Sequence, residues 1–194
     1  RRERPAGSWC RREWEKRSGK RPYVWAVITC GSGTGAADRQ LKAVGKKAGI
    51  PIDAVFSLVM PDNFIPMFPV PGDQEIREIL AKADVRMEEI LGELRKRGSG
   101  EESKAKDLML SASMQTLYRN GRKTSRFSVD DTCIGCGQCA SFCPVGAIGM
   151  ADGRPVWKKD RCAFCMGCIN RCPKAAIQYG RSTRKNGRYV YPRG

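Results

Sequence analysis

Eight cysteines in two tight groups constrain this chain more than any other feature. Cys133, Cys136, Cys139 and Cys143 form one run, and Cys162, Cys165, Cys168 and Cys172 repeat it at an offset of 29 residues. Each run reads C-x2-C-x2-C-x3-C-P, with Pro144 and Pro173 closing the motifs and Ala147-Ile148 and Ala176-Ile177 extending the likeness. The 194 residues include no histidine, so metal ligation must rest on sulfur or carboxylate. The basic N-terminus leads into no apolar signal-peptide core, and without a secretory context such dense cysteine argues for metal rather than disulfides. Cys10 and Cys30 have no cysteine neighbours and read as ordinary thiols.

The spacing carries its own chemistry. A C-x2-C-x2-C loop can fold three thiolates around three corners of one cubane, and the fourth cysteine is expected to start a helix leading toward the other site. A pair of zinc sites is the alternative, but zinc commonly uses C-x2-C pairs parted by a longer spacer. The two runs resemble those of bacterial two-cluster ferredoxins. That resemblance implies two [4Fe-4S] clusters, the first on Cys133, Cys136, Cys139 and Cys172, the second on Cys162, Cys165, Cys168 and Cys143. Gly135, Gly137 and Gly167 are expected to leave backbone N–H groups free to approach cluster sulfur, and such bonds tune potential.

Charge has to be located before it is interpreted. Lys and Arg total 36 against 20 acids, a formal charge of +16. Residues 1–21 hold nine bases and three acids, and 181–194 hold five bases and no acid, whereas 22–125 hold 15 bases and 13 acids. The excess therefore belongs to the ends. Trp9 and Trp14 among the N-terminal arginines raise a nucleic-acid-binding iron–sulfur or zinc protein as a rival, but solvated tails that aid solubility or dock on an acidic redox partner account for the same pattern.

Upstream of the cysteines the pattern is α/β. Tyr23–Cys30 is β-branched and aromatic, as in a buried strand. Gly31-Ser-Gly-Thr-Gly35 breaks it, and Ala37, Leu41, Val44 and Ala48 then recur at helical spacing up to Gly49. Ile50–Met60 supplies a second strand. The loop 61–72 carries Phe64, Ile65, Met67 and Phe68, too apolar for free solvent. From Asp73, read as a cap, the strongest helix runs along Ile76, Ile79, Leu80, Ala83, Met87, Ile90, Leu91 and Leu94 to Gly98. A shorter helix is expected over 101–118, and 119–126 reads as an exposed linker.

The Gly31-x-Gly33-x-x-Ala36 loop meets the dinucleotide fingerprint formally, with Asp53 about 20 residues on. Asp53 opens the second strand, whereas a ribose-binding acid belongs at a strand's carboxyl end, so the loop is better read as a strand-to-helix turn. The T-C-G-S-G-T-G loop, Met60-Pro-Asp-Asn-Phe-Ile-Pro66, Phe127-Ser-Val-Asp-Asp-Thr-Cys133 and the two cysteine motifs together resemble the flavodoxin–ferredoxin fusion family over residues 22–192. The resemblance implies a partial flavodoxin-like α/β segment (22–97), a linker with a helix (98–126) and an α+β two-cluster ferredoxin-like domain (127–180), between a basic stretch (1–21) and a basic tail (181–194). It also implies that Thr29, Gly31, Ser32 and Gly33 lie beside a flavin ring. The first three strands and the phosphate loop are expected to be missing, in keeping with the absent initiator Met, so FMN is expected in a full-length protein and not in this one.

The resulting expectation is a cytoplasmic, anaerobic iron–sulfur electron carrier rather than a catalyst. A redox protein is its expected partner, with no membrane span and no nucleic acid; a flavin-linked oxidoreductase component is the alternative.

Overall fold

A computed structural model describes residues 21–191; the N-terminal basic stretch with Trp9, Trp14 and Cys10 falls outside the described residues except for Arg21, as do the last three residues of the tail. The chain divides into two units, the first comprising the described residues up to Met60 with Arg77–Ala112, the second comprising Pro61–Ile76 with the chain from Ser113 onward. This differs from a division at 97 and 126, because the apolar loop after Met60 folds with the cysteines.

In the first unit β1 (Trp25–Cys30) and β2 (Ala54–Val59) pair in parallel, from Trp25 opposite Ala54 to Cys30 opposite Val59. Parallel strands need a crossover of a dozen or more residues, here built on α1 (Ala37–Ala48). Gly49 closes α1 at φ 75°, its N–H bonded to the Lys46 carbonyl, a left-handed stop that glycine makes without a Cβ penalty. β2 begins at Ala54 rather than Ile50, since Asp53 before it is tied to Arg21 and accepts the Val24 N–H at 2.8 Å. That use of Asp53 is structural. Ala54 and Phe56 of β2 pack with Ile90 of α2 (Asp73–Arg95) in a small core bordered by Tyr23, Val27 and Leu94. Gly72 rather than Asp73 takes the cap position of α2, its carbonyl accepting the Ile76 N–H at 2.9 Å. Asp73 sits in the first turn, where an acid suits the helix dipole.

α3 (Ala105–Gly121) runs beyond the expected 118 and takes up the start of the expected linker. The rest of that linker leaves Lys123, Ser125 and Arg126 exposed but is anchored at Thr124. Thr124 is buried, its hydroxyl donating to the Lys159 carbonyl at 2.6 Å and its N–H to that of Asp160 at 3.0 Å.

The second unit places two antiparallel pairs around the cysteine loops. β3 (Phe127–Val129) leads into the first loop, which carries the short α4 (Gln138–Ser141) and ends in β4 (Ile148–Ala151). β5 (Arg154–Trp157) leads into the second, which carries α5 (Gly167–Asn170) and ends in β6 (Ile177–Tyr179). β3 pairs with β6 and β4 with β5. The β4–β5 turn is Asp152-Gly153 with φ 48° and 72°, the two left-handed residues that a tight hairpin requires. Ile65, Phe164, Met166, Ile169, Ile177 and Tyr179 form the core. Rings continue it in a chain: Phe64 meets Phe164, Phe164 meets Tyr179, Tyr179 meets Phe127, and Phe127 stacks on Trp157, with centroids 4.9–5.2 Å apart.

The basic tail is a folded part of this unit as far as the structure describes it. Arg184 forms a two-pronged pair with Asp130 at 2.6 Å, and the Arg188 guanidinium donates to the Thr183 carbonyl and to Gln178. Arg188 is half-buried, whereas Arg184 remains exposed to solvent while paired.

Candidate metal centre

Each cysteine motif wraps a cavity, and each cavity takes its fourth thiol from the other motif. One, with about 360 Å3 of empty space, is lined by Cys133, Cys136, Cys139 and Cys172 together with Ile134, Pro155 and Ile177. The other, also about 360 Å3, is lined by Cys143, Cys162, Cys165 and Cys168 with Phe127, Trp157 and Met166. All eight sequence-selected cysteines are thus brought together in the two expected sets. Cys30 is not; its thiol lies on the Leu58 carbonyl, at 3.8 Å, in the first unit.

The loops reach this arrangement through left-handed residues at matching places. Gly135, Gly137 and Gly146 have φ of 67°, 70° and 56°. Their counterparts 29 residues on are Phe164, Met166 and Ala175, with φ of 56°, 56° and 49°. Glycine adopts this region freely, while for a bulky residue it is an outlier. The second loop therefore carries strain that the first avoids, and burial of Phe164 and Met166, 8% and 1% exposed, opposes it.

The fourth cysteine does not start a helix. α4 and α5 lie ahead of Cys143 and Cys172, and the left-handed turn at Gly146 or Ala175 sends the chain straight into β4 or β6. That turn also sets the sulfur contacts. Ala147 N–H donates to Cys143 Sγ at 3.1 Å and Ala176 N–H to Cys172 Sγ at 3.3 Å, the same bond in each half. Phe164 N–H donates to Cys162 Sγ at 3.3 Å. These donors reach thiol sulfur from residues other than Gly135, Gly137 and Gly167, whose expected approach was to the sulfur of a cluster; the shared Cys-Pro-x-x-Ala spacing was the signal that could have found two of them.

Burial and the charge of neighbouring thiolates make three of these thiols, Cys139, Cys162 and Cys168, hard to ionise without a cation. Burial, with the charges of Cys165 and Cys162 beside it, pushes the Cys168 thiol up to about 12. Burial likewise raises Cys162 and Cys139. Cationic metal reverses this logic, since a coordinating thiol is deprotonated outright. Zinc also takes sulfur, but commonly from C-x2-C pairs parted by a longer spacer. An all-sulfur donor set spread around an apolar cavity fits a cluster better.

Of the residues assigned to a flavin-ring loop, Gly33 lines an open cavity in the first unit; Thr29, Gly31 and Ser32 do not. Asp38, Glu101, Glu102 and Asp107 share that cavity.

Residues 127–173 match the family model of the 4Fe-4S dicluster domain. With the paired cavities this defines the class, an iron–sulfur electron-transfer domain. An uncharacterized ferredoxin of Methanocaldococcus jannaschii is 42% identical over 53 residues, 25% of this chain and 29% of that protein. A component of the ion-translocating oxidoreductase complex of Methanosarcina acetivorans is 37% identical over 46 residues, 24% of this chain and 17% of that protein. A ferredoxin of Methanothermococcus thermolithotrophicus is 40% identical over 50 residues, which are 24% of this chain but 83% of that protein. The chain belongs to the ferredoxin family. It spans under a third of the first two relatives, and their matches take up about a quarter of it. No solved structure matches it. Among the described residues no helix is long and apolar enough to cross a membrane.

Proposed function

We propose that this chain carries single electrons through two [4Fe-4S] clusters, one on Cys133, Cys136, Cys139 and Cys172, the other on Cys162, Cys165, Cys168 and Cys143. The observation that carries the reading is the gathering of each set around its own cavity. A thiolate-held cubane supplies a one-electron couple whose potential responds to charge, hydrogen bonds to sulfur and exposure. Here the Ala147, Phe164 and Ala176 N–H groups point partial positive charge at sulfur, and apolar residues such as Ile177 and Trp157 line the sites while Cys136 and Cys165 stay exposed. Purified without oxygen, the chain should hold about eight iron and eight acid-labile sulfide, two cubanes' worth. About two zinc and no sulfide would refute the reading.

The first unit is read as part of a flavodoxin-like fold, and the chain as a relative of flavodoxin–ferredoxin fusions with its cluster domain at 127–180. The parallel β1–α1–β2 unit supports this. The cavity beside Gly33, in the loop read as flanking a flavin ring, is lined by Asp38, Glu101, Glu102 and Asp107, a poor setting for an anionic cofactor, so stoichiometric FMN is not proposed for this chain. Flavin fluorescence at one equivalent after denaturation would overturn that reading. The partner is proposed to be a redox protein with an acidic surface, in keeping with the formal charge of +16. Unbridged cysteines suit a reducing compartment, and the cytoplasm is the one proposed.

A further inference from the structure

The two cysteine loops share a pattern but not a foundation. The first turns on Gly135 and Gly137, which need no help to hold positive φ. The second turns on Phe164 and Met166, and a side chain at positive φ persists only where its surroundings over-determine it. Those surroundings come from about a hundred residues upstream. Phe64 meets the Phe164 ring edge-on at 5.2 Å, and Ile65, fully buried, packs in the same core as Phe164 and Met166. Asn170, just past Cys168, donates to the Asn63 carbonyl at 3.0 Å. The segment is itself tied from its far side. Asn186 donates to the Ile65 carbonyl at 2.7 Å, Ser182 to that of Pro66 at 3.0 Å, and Val70 N–H to the Asn186 carbonyl at 2.8 Å.

We infer that residues 61–70 are a positioning strap for the second loop, so that the Cys162 site depends on a segment outside the ferredoxin-like sequence and the Cys133 site does not. Phe64 and Ile65 act through Phe164 and Met166, keeping the Phe164 N–H on Cys162 Sγ. Phe164 and Met166 thereby trade the autonomy that glycines give the first loop for a dependence on the strap. The inference rests on the two-cluster reading, and the order of measurements keeps the two apart.

The test uses the full chain loaded anaerobically, with iron and sulfide counted first. A count well short of two cubanes sinks the two-cluster reading before the strap is probed. With both clusters present, iron release to a ferrous chelator and the hyperfine-shifted cysteine β-proton resonances are followed in parallel. Phe64→Ala should speed release of half the iron about tenfold, the worth of a lost aromatic pair at the upper end of its range. The resonances of Cys162, Cys165, Cys168 and Cys143 should move while those of the other four ligands stay. Phe64→Tyr should restore both. Asn186→Ala frees the strap from its far side, touches no cysteine, and should produce the same selective change in weaker form; it keeps the test alive if Phe64→Ala fails to fold. Equal movement of both resonance sets, or unchanged release of all the iron, would overturn the inference.

Discussion

Replacing Cys143 tests the interlocked site most directly. Its Sγ lines the cavity of Cys162, Cys165 and Cys168, although its own motif lies around the other cavity. Cys143→Ala should therefore injure the distant cluster. With four irons per cubane, loss of one thiolate frees about one, so the count should fall from about eight to about seven per chain. The structure adds a second cost. Ala147 is fully buried and its N–H donates to Cys143 Sγ, so the variant leaves that donor without a partner, worth about 1–3 kcal/mol. Cys172→Ala orphans the Ala176 N–H in the same way, so the two variants should lose similar stability and differ only in which cluster is hurt. Iron analysis with electron paramagnetic resonance reads the lesion as a three-iron signal, assigned by combining each variant with Cys136→Ala or Cys165→Ala. If Cys143→Ala lesions the Cys133 site instead, each motif closes on itself and the cross-over reasoning is wrong.

Three further outcomes follow from the backbone and the charges. Gly137→Ala should cost about 1–2 kcal/mol for its left-handed φ, and Gly135→Ala more, since its added Cβ would stand 2.6 Å from the Gly153 carbonyl oxygen while nothing lies near that of Gly137; midpoints of chemical unfolding of the loaded protein rank the two. Gly100→Ala should destabilise the first unit, because the residue sits at φ 74° with its Cβ position 2.5 Å from the Val55 carbonyl oxygen, and hydrogen exchange at Glu101, whose N–H bonds that carbonyl, should quicken. The Arg184 guanidinium holds the Asp130 carboxyl below the usual carboxylate range. Its stabilisation is therefore present above an unfolded pKa of about 3.9 and is lost as pH falls through the lower folded value; acid unfolding of Arg184→Ala should lack that final loss.

What the sequence made legible was whatever a short pattern can encode. The cysteine spacing singled out eight candidate ligands because three of each set lie within one loop and the repeat supplies the fourth, and β1, α1, β2 and α2 announced themselves by periodicity and glycine stops. The Asp152-Gly153 hairpin also has a local signal, the Asp-Gly pair itself. The remainder was decided by distant partners. Nothing near Phe64 states that its ring will meet Phe164, and nothing in 181–191 states that Arg184 will find Asp130. Composition marked the tail as solvated charge; long-range pairing consumed part of that charge. The left-handed Phe164 and Met166 were hidden for the same reason, since propensity argues against them and only the packed core offsets their strain.

The repeat explains why the two halves cannot part. A duplicated loop could have closed on itself, its first strand pairing with its own last. Instead β3, at the start of the first half, pairs with β6 at the end of the second, and β4, at the end of the first, pairs with β5 at the start of the second. The thiols follow the strands. Cys143 precedes β4 and Cys172 precedes β6, so the pairing that carries each strand to the opposite half carries its cysteine there too. Equivalent bonds seal both exchanges, Asp130 N–H to the Ala176 carbonyl at 2.8 Å and Lys158 N–H to the Ala147 carbonyl at 2.9 Å. Ala147 and Ala176 thus stand at both steps, accepting the exchanged strand's bond on the carbonyl and donating to the exchanged thiol through the N–H. Strand exchange and ligand exchange are in this sense one event, so a change that shifts the register of β3 on β6 should displace Cys172 as well. Ser128 stands opposite Gln178, midway between Arg126, whose carbonyl accepts the Gly180 N–H, and Asp130, whose N–H donates to Ala176. The two-residue alternation of an antiparallel ladder makes Ser128 a hydrogen-bonded position, and proline there removes a ladder donor. Ser128→Pro should weaken the Cys133 site first, although Ser128 belongs to neither ligand set; iron release resolved by cluster reads the order. Loss of the Cys162 cluster first would separate the two exchanges and refute the coupling.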